Sequence, residues 1–278
     1  MKKKPFIIYT YDYSPGVGGI KVMHKLCDLL NNNGYESYLM PIHIKEDFYV
    51  CADYNTPLVT QEILDDLDNT IVVYPEGIRY NPLGAKNVVR WILGPSLQED
   101  AETYSKSDIV YYINDYYYNK SLKQRKNQLY VIELHRDIFK DIQAKRTGSC
   151  YTIRKATPEK LVHPKNSYQI SYENAGELAE LSMLFNTSEY FYCYDNHTFL
   201  FTQAAMCGCI SIVIPDPKFS KEMWMNGSRL HKYGVAYGES DIPRAIETLP
   251  LLQKELEIIE EEVIKNVISF ANSCNKVF

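Results

Sequence analysis

The chain of 278 residues is long enough for two domains, each with its own hydrophobic core. Its net charge of −5 provides no broad basic surface, so we expect no nucleic-acid partner. The seven cysteines lack zinc or redox spacing, and the sequence contains neither a signal-peptide core nor an apolar run of membrane-spanning length. These features predict a cytoplasmic protein without an integral membrane segment, and they leave peripheral association with the inner membrane face open.

The amino-terminal half alternates apolar strands with helical segments. The pattern predicts a strand over 6–11, a glycine-rich turn over 12–19, a helix over 20–32 and a second strand over 35–42. Such a strand–helix–strand order is typical of a parallel sheet. Four more strands are predicted over 70–74, 88–93, 109–113 and 129–133.

The glycine-rich turn is not a dinucleotide fingerprint. Lys21 stands where that motif has its third glycine after Gly16 and Gly18, and no P-loop lysine follows, which weighs against oxidoreductases and P-loop NTPases. His24 lies one helical turn after Lys21, and an ordinary helix surface is the favoured interpretation of both. Glu76 follows the strand predicted over 70–74 and offers a carboxylate at the carboxyl end of the sheet.

The carboxy-terminal half restarts the same pattern after a charged, weakly patterned stretch over 136–149. We therefore predict two domains, covering residues 1–140 and 141–278. The second contains predicted strands over 150–155 and 168–172 and a helix over 175–185. A short helix over 244–248 is expected to end before Pro250, where a long amphipathic helix begins and continues to about residue 272.

The most informative segment covers residues 190–215. An apolar strand leads into a short polar crest, a helix of small residues and a second apolar strand. The crest contains Asp195, Asn196, His197 and Thr198, at the carboxyl end of the first strand and the amino end of the helix. Free backbone N–H groups at a helix start favour anions, so the crest predicts a site for a phosphate-bearing ligand.

This segment resembles the donor-site motif of family-4-type glycosyltransferases of the GT-B fold, in which two glutamates precede a helix of small residues. Asp195 and Gln203 occupy the two acidic positions; Gln203 has no charge but can still accept a hydrogen bond from a ribose hydroxyl. The resemblance implies an α/β protein with two Rossmann-like domains facing a central cleft, the amino-terminal domain on the acceptor side and the carboxy-terminal domain holding the sugar nucleotide. It also implies that the last helix crosses back to the first domain.

The resemblance further implies a retaining transfer of a hexose-type sugar from a nucleoside-diphosphate sugar to a glycan or lipid-linked glycan, as in bacterial-style capsule or lipopolysaccharide synthesis. Asp195 and Arg154 are the implied catalytic residues. The nucleotide sugar is the donor substrate and no separate cofactor is implied. The implied donor-binding residues are Gly18, Gly19, Arg154, Lys155, Asn196, His197, Thr198 and Gln203. Because no Asp-x-Asp triplet is present, a metal is not expected.

Structural roles for these residues, and other functions for the protein, remain open at this point. Gly18 and Gly19 could form a structural turn, Arg154 could belong to a solvated basic turn, and Asp195 could be a helix N-cap. Gln203 also fits a non-catalytic sugar- or nucleotide-binding subunit that kept the fold. An epimerase or a phosphotransferase on the same scaffold is a third possibility, because a fold does not determine its chemistry.

Overall fold

The computed structural model describes residues 3–43, 47–94, 98–122, 126–153, 157–158, 160–171, 174–196, 198–217 and 220–278. The chain divides into two compact units. Unit 1 comprises Met1–Glu133 and Glu260–Phe278, and unit 2 comprises Leu134–Ile259. The boundary between the two units lies at Leu134, earlier in the chain than the predicted boundary at residue 140. The reason is that Leu134 and Phe139 are buried, and the ring of Phe139 packs against Phe185 in unit 2.

Unit 1 is built on a parallel sheet of six strands among the described residues, in the order β2-β1-β3-β4-β5-β6. Nearly every residue of its inner strands is buried, as is expected of a parallel sheet covered by helices. The elements of this unit are β1 (Phe6–Thr10), α1 (Gly18–Asn32), β2 (Ser37–Pro41), α2 (Gln61–Asp65), β3 (Ile71–Pro75), β4 (Asn87–Ile92), α3 (Gln98–Ala101), β5 (Ile109–Tyr112) and β6 (Asn127–Gln128).

Unit 2 contains a second parallel sheet, with five described strands in the order β11-β10-β9-β7-β8. Its elements are β7 (Ser149–Thr152), β8 (Tyr168–Ile170), α4 (Leu178–Thr187), β9 (Tyr190–Cys193), α5 (Leu200–Met206), β10 (Ile210–Val213), α6 (Lys221–Gly227), β11 (Val235–Tyr237) and α7 (Ile242–Val277). The small residues in and directly after α5 are buried, among them Ala204, Ala205 and Cys207. Gly208 follows them with a φ of +76°, where a side chain would be strained and would collide with Arg146 and Asp141.

Helix α7 has 36 residues, and its last part, from Glu260, belongs to unit 1. There Phe270 packs on Phe6 and Tyr111, and Asn266 accepts a hydrogen bond from the backbone N–H of Tyr130 at 2.7 Å. This placement agrees with the implied return of the last helix to the first domain. Of the helices in the described ranges, none combines the length and apolarity that crossing a membrane requires.

Two element predictions are wrong. The last strand of unit 1 covers only Asn127–Gln128, and residues 129–133 leave the sheet after Leu129 bonds the carbonyl of Tyr112. The break predicted before Pro250 is absent, since α7 runs through it. A proline removes one backbone donor, whereas the buried side chains of Leu252 and Leu256 on the following turns hold the helix against the core.

Candidate functional site

The sheet of unit 2 reverses its strand order between β7 and β9. The chain goes from β7 to β8 on one side and then returns to β9 on the other, with Thr152 level with Cys193. Open parallel sheets bind ligands beyond the carboxyl ends of the two strands at such a switch point. In unit 2 this position lies just after Thr152 and just after Cys193.

The polar crest follows Cys193 at this switch point. Asp195, Asn196 and Thr198 are all buried, and the Cys193 thiol donates to the Asp195 carbonyl at 3.3 Å. Thr198 Oγ1 accepts from the N–H of Leu200, the first residue of α5, at 3.4 Å. The N-cap position of α5 is occupied by Phe199, which makes no side-chain cap bond. Asp195 is therefore not the N-cap of this helix, and the interpretation of its carboxylate as a helix N-cap is wrong.

The backbone of the crest is held by Trp224 of α6. The Trp224 indole N–H donates to the Asn196 carbonyl at 3.1 Å, and the indole stacks on His231 with ring centroids 4.2 Å apart. On the side chain of Asn196, Oδ1 is buried and has no hydrogen-bond partner in the described part of the chain. A buried acceptor without a partner is costly, so this amide is suited to a ligand that supplies the missing bond.

Sequence reasoning missed Trp224. The available signal was a single tryptophan in a helix that Ser220 caps, and the Ser220 side chain does accept from the N–H of Met223. The sequence cannot show that this indole reaches Asn196, because the two residues are far apart in the chain and meet only through packing. The aromatic ring of Tyr237 completes the stack at 5.2 Å.

A second aromatic contact holds the segment that follows residue 160. The Tyr194 hydroxyl accepts the N–H of Val162 at 2.7 Å and lies 2.9 Å from His163 Nδ1. His163 stacks on Tyr151 of β7 with centroids 3.7 Å apart, and burial lowers the pKa of His163. The imidazole is therefore neutral at pH 7 and packs on this unit as an aromatic group.

Ion pairs occupy the loop after β11. Burial alone would raise the pKa of Asp241, but hydrogen bonds from Arg244, Lys221 and the Tyr237 N–H outweigh burial and hold that pKa below its usual value. The carboxylate therefore stays ionised and ties the starts of α6 and α7 to β11. Lys221 and Arg244 therefore have a structural role, as the cations that pair with Asp241.

Gln203 is buried in the middle of α5. Three of the predicted donor-site residues, Arg154, Lys155 and His197, lie outside the described residues. No cluster of three or more His, Cys, Asp or Glu suited to a metal occurs within the described ranges.

The sheet of unit 1 has its own switch point, between β1 and β3. Gly18 and Gly19 are the first residues of α1, directly after the loop that follows β1. Neither has a positive φ, and an added Cβ would meet nothing within 4 Å at Gly18 and only Leu93 at 3.9 Å at Gly19. The fold therefore requires glycine at neither position. Val17 is the N-cap residue of α1 and makes no side-chain hydrogen bond, and the first turn of α1 contains no acidic residue. The Val17 side chain therefore leaves the N–H groups of the first turn uncapped.

Lys21 and His24 are not on an ordinary helix surface; both are buried. Lys21 pairs with Glu133 at 3.8 Å, and His24 Nε2 donates to the Tyr11 carbonyl at 2.9 Å. Burial lowers the pKa of His24, whereas burial and the Glu133 charge raise the pKa of Tyr13, whose ring lies 5.3 Å from His24. These contacts fix the backbone that leads into the glycine-rich loop.

Glu76 follows β3 on the other side of this switch point. Its Oε2 accepts the N–H of Leu93 at 3.0 Å, and burial raises the pKa of the carboxyl group. A Cβ on Gly94 would lie 2.9 Å from Glu76 Oε1, so the lack of a side chain at Gly94 leaves room for the Glu76 carboxyl group. Glu76 thus joins the loops after β3 and β4.

Comparisons with known proteins concern the fold. No protein-family model and no curated protein matches the sequence. Among solved structures, the chain is similar to an alpha-glucosyltransferase in complex with UDP and a 13-mer DNA containing a central A:G mismatch. The identity is 14%, the TM-score is 0.52, and the match covers 95% of this chain and 94% of that chain. The likeness confirms the predicted GT-B fold of two Rossmann-like α/β domains.

Proposed function

We propose that this protein is a glycosyltransferase that binds a UDP-sugar in unit 2 and transfers the sugar to a glycan acceptor. The observation that carries the proposal is the position of the crest. The buried crest follows β9 at the switch point of a parallel sheet, in a chain whose fold is similar to that of a UDP-bound glucosyltransferase over almost its whole length.

The residues of unit 2 suggest a division of roles. The Asp195 carboxylate would stabilise positive charge that develops on the sugar, and the unpartnered Asn196 Oδ1 would accept a ligand hydroxyl. Gln203 would bond the ribose, and Thr198 and His197 would line the same pocket. Arg154 and Lys155 would hold the diphosphate, whose charge grows as the nucleotide leaves.

The finer features of the reaction are part of the same proposal. We infer retention of the anomeric configuration, a hexose-type sugar, and an acceptor of the capsule or lipopolysaccharide class in the cytoplasm or at the inner membrane face. The diphosphate charge would be carried by Arg154, Lys155 and backbone N–H groups without a metal.

Nucleic acid is an alternative acceptor, because the similar glucosyltransferase is described in complex with DNA. The net charge of −5 opposes it, since DNA binding depends on neutralising phosphates with Lys and Arg. A second function, a non-catalytic sugar- or nucleotide-binding subunit, is favoured by Gln203, which lacks the charge of the second family acid.

The experiment measures UDP binding by calorimetry and UDP-sugar turnover by release of free UDP. Asp195→Asn should preserve most UDP affinity and slow turnover by about a hundredfold, the order expected when one charge-stabilising group is lost. Arg154→Ala should weaken UDP binding by about 1.5–3 kcal/mol. Asp137→Asn, which changes an exposed carboxylate of the same unit, is the matched control and should alter neither quantity.

Two outcomes would contradict the proposal. Protein that binds UDP but shows no transfer to glycans or DNA and no donor hydrolysis would support the non-catalytic subunit. Protein that binds no nucleoside diphosphate would exclude the glycosyltransferase and the nucleotide-binding subunit.

A further inference from the structure

A cavity of about 280 Å³ lies in unit 1, between the segment that leads from β4 to β5 and the segment that leads from β5 to β6. The first segment lines it with Ala101, Glu102, Tyr104 and Lys106, and the second with Leu122. A protein cavity of about 150 Å³ can bind benzene, and small-molecule sites begin at about 300 Å³. The cavity therefore has room for a ligand of the size of an amino acid. We refer to it as the Tyr104 cavity.

The aromatic wall of the cavity is fixed by two contacts of Tyr104. The Tyr104 hydroxyl donates to the Glu76 carbonyl at 2.5 Å, and the guanidinium carbon of Arg90 lies 4.6 Å from the centroid of the ring. Arg90 is itself buried and pairs with Asp108 at 2.7 Å. Burial raises the pKa of the Tyr104 hydroxyl, so the ring stays neutral. An aromatic face that is already in place loses little further entropy when a ligand binds.

The neighbouring parts of the wall are also ordered. The N–H of Ser105 donates to Asp108 Oδ2 at 3.2 Å, and the N–H of Tyr104 donates to the Ala101 carbonyl at 3.3 Å. Ala101 is buried, and Leu122 packs on the buried side chains of β4 and β5. These residues give the cavity an apolar and aromatic part that suits a flat apolar group.

The cavity also contains one charge of each sign. Glu102 and Lys106 both line it and are both exposed, which places them at its opening. Within the described ranges Lys106 forms no ion pair, so its ammonium can take a ligand carboxylate. The Glu102 carboxylate has other interactions, but its two oxygens offer enough lone pairs to accept a further bond from a ligand amine. A phosphate would be repelled by Glu102 and a simple amine by Lys106, whereas a ligand with both charges matches the pair.

We propose that the Tyr104 cavity binds the zwitterion of an aromatic amino acid. The ring of the ligand packs on Tyr104 and Leu122. Its carboxylate pairs with Lys106, and its ammonium group donates to the Glu102 carboxylate. The cavity lies wholly in unit 1, and the proposal does not depend on the UDP-sugar reaction proposed for unit 2.

The test titrates the full-length protein by calorimetry with L-phenylalanine and with analogues that each lack one feature. Hydrocinnamate lacks the ammonium group and phenethylamine lacks the carboxylate, and each should bind about three- to tenfold more weakly than L-phenylalanine, the scale of one partly exposed ionic contact. L-Alanine carries both charges without a ring and should bind at least about tenfold more weakly, because it buries no aromatic side chain.

Two variants separate the charges of the site. Lys106→Ala should weaken L-phenylalanine binding by about three- to tenfold and leave the affinity for phenethylamine no lower than in wild type. Glu102→Gln should weaken L-phenylalanine binding to the same extent and leave the affinity for hydrocinnamate no lower. Lys86→Ala is the matched control, because Lys86 is an exposed lysine of the same unit and does not line the cavity. All three variants should unfold at the wild-type Tm.

The proposal is overturned if L-phenylalanine does not bind at about 10 mM, a concentration that would reveal even millimolar affinity. It is also overturned if either Lys106→Ala or Glu102→Gln binds L-phenylalanine as tightly as Lys86→Ala. An analogue with one charge that binds as tightly as the amino acid would identify a site for a carboxylate or an amine alone and would reject the zwitterion. UDP binding and turnover are measured separately, so failure of the proposed glycosyltransferase would leave this result unchanged.

Discussion

The contact between Trp224 and the crest can be tested by Trp224→Phe. Phenylalanine keeps an aromatic ring in the stack with His231 and removes the N–H that donates to the Asn196 carbonyl. The carbonyl is then left buried without this donor. We expect lower stability of unit 2 and, because the crest is no longer held from α6, weaker UDP binding.

The size of the effect follows from the lost bond. A buried acceptor without its partner costs about 1–3 kcal/mol, and the smaller ring adds a cavity term. For unit 2, which covers Leu134–Ile259, each kcal/mol corresponds to roughly 4 °C in Tm. Thermal unfolding by circular dichroism and UDP titration by calorimetry measure the two effects separately.

The chain has a second tryptophan that provides the control. Trp91 is buried in β4 of unit 1 and its indole N–H donates to the Leu129 carbonyl at 3.0 Å. Trp91→Phe therefore loses the same kind of bond at a similar cost, and UDP affinity should not change. If Trp224→Phe leaves UDP affinity at the wild-type value while Tm falls, the crest is not part of the nucleotide site. Equal losses of UDP affinity in both variants would show general destabilisation only.

Three further predictions concern the glycine pair, the metal and Glu76. Gly18→Ala should raise stability by up to about 1 kcal/mol in thermal unfolding, since its Cβ meets nothing within 4 Å, and should weaken UDP or glycan binding. Unchanged affinity for both ligands would exclude a ligand-binding role for Gly18. EDTA should leave UDP-sugar turnover intact; a loss that Mg²⁺ or Mn²⁺ restores would reveal a missed metal. Burial raises the folded-state pKa of Glu76 above its unfolded value, so its contribution to stability is complete below the unfolded pKa and is lost as pH rises through the folded pKa. Glu76→Gln should therefore be more stable than wild type near pH 7, and this difference should vanish in urea titrations below the usual glutamate pKa.

The sequence alone was sufficient for the fold class and for the place of the crest. The alternation of short apolar runs with amphipathic helices depends on the periodicity of residues that are neighbours in the chain. This local pattern predicts parallel sheets. The crest between residues 190 and 215 was found in the same way, because a strand, a polar turn and a helix of small residues are contiguous. The carboxyl-end position of Asp195 follows from that order.

Only the tertiary structure decided the contacts between distant segments. Lys21 and His24 looked like surface residues because helical periodicity does not show that Glu133 and Phe48 cover them. The helix break expected at Pro250 ignored the core contacts that outweigh one lost hydrogen bond. Packing between residues far apart in the chain likewise determines the bond from Trp224 to Asn196 and the strand order that creates each switch point. The free energy of such contacts arises only in the folded structure, so they leave no local pattern in the sequence.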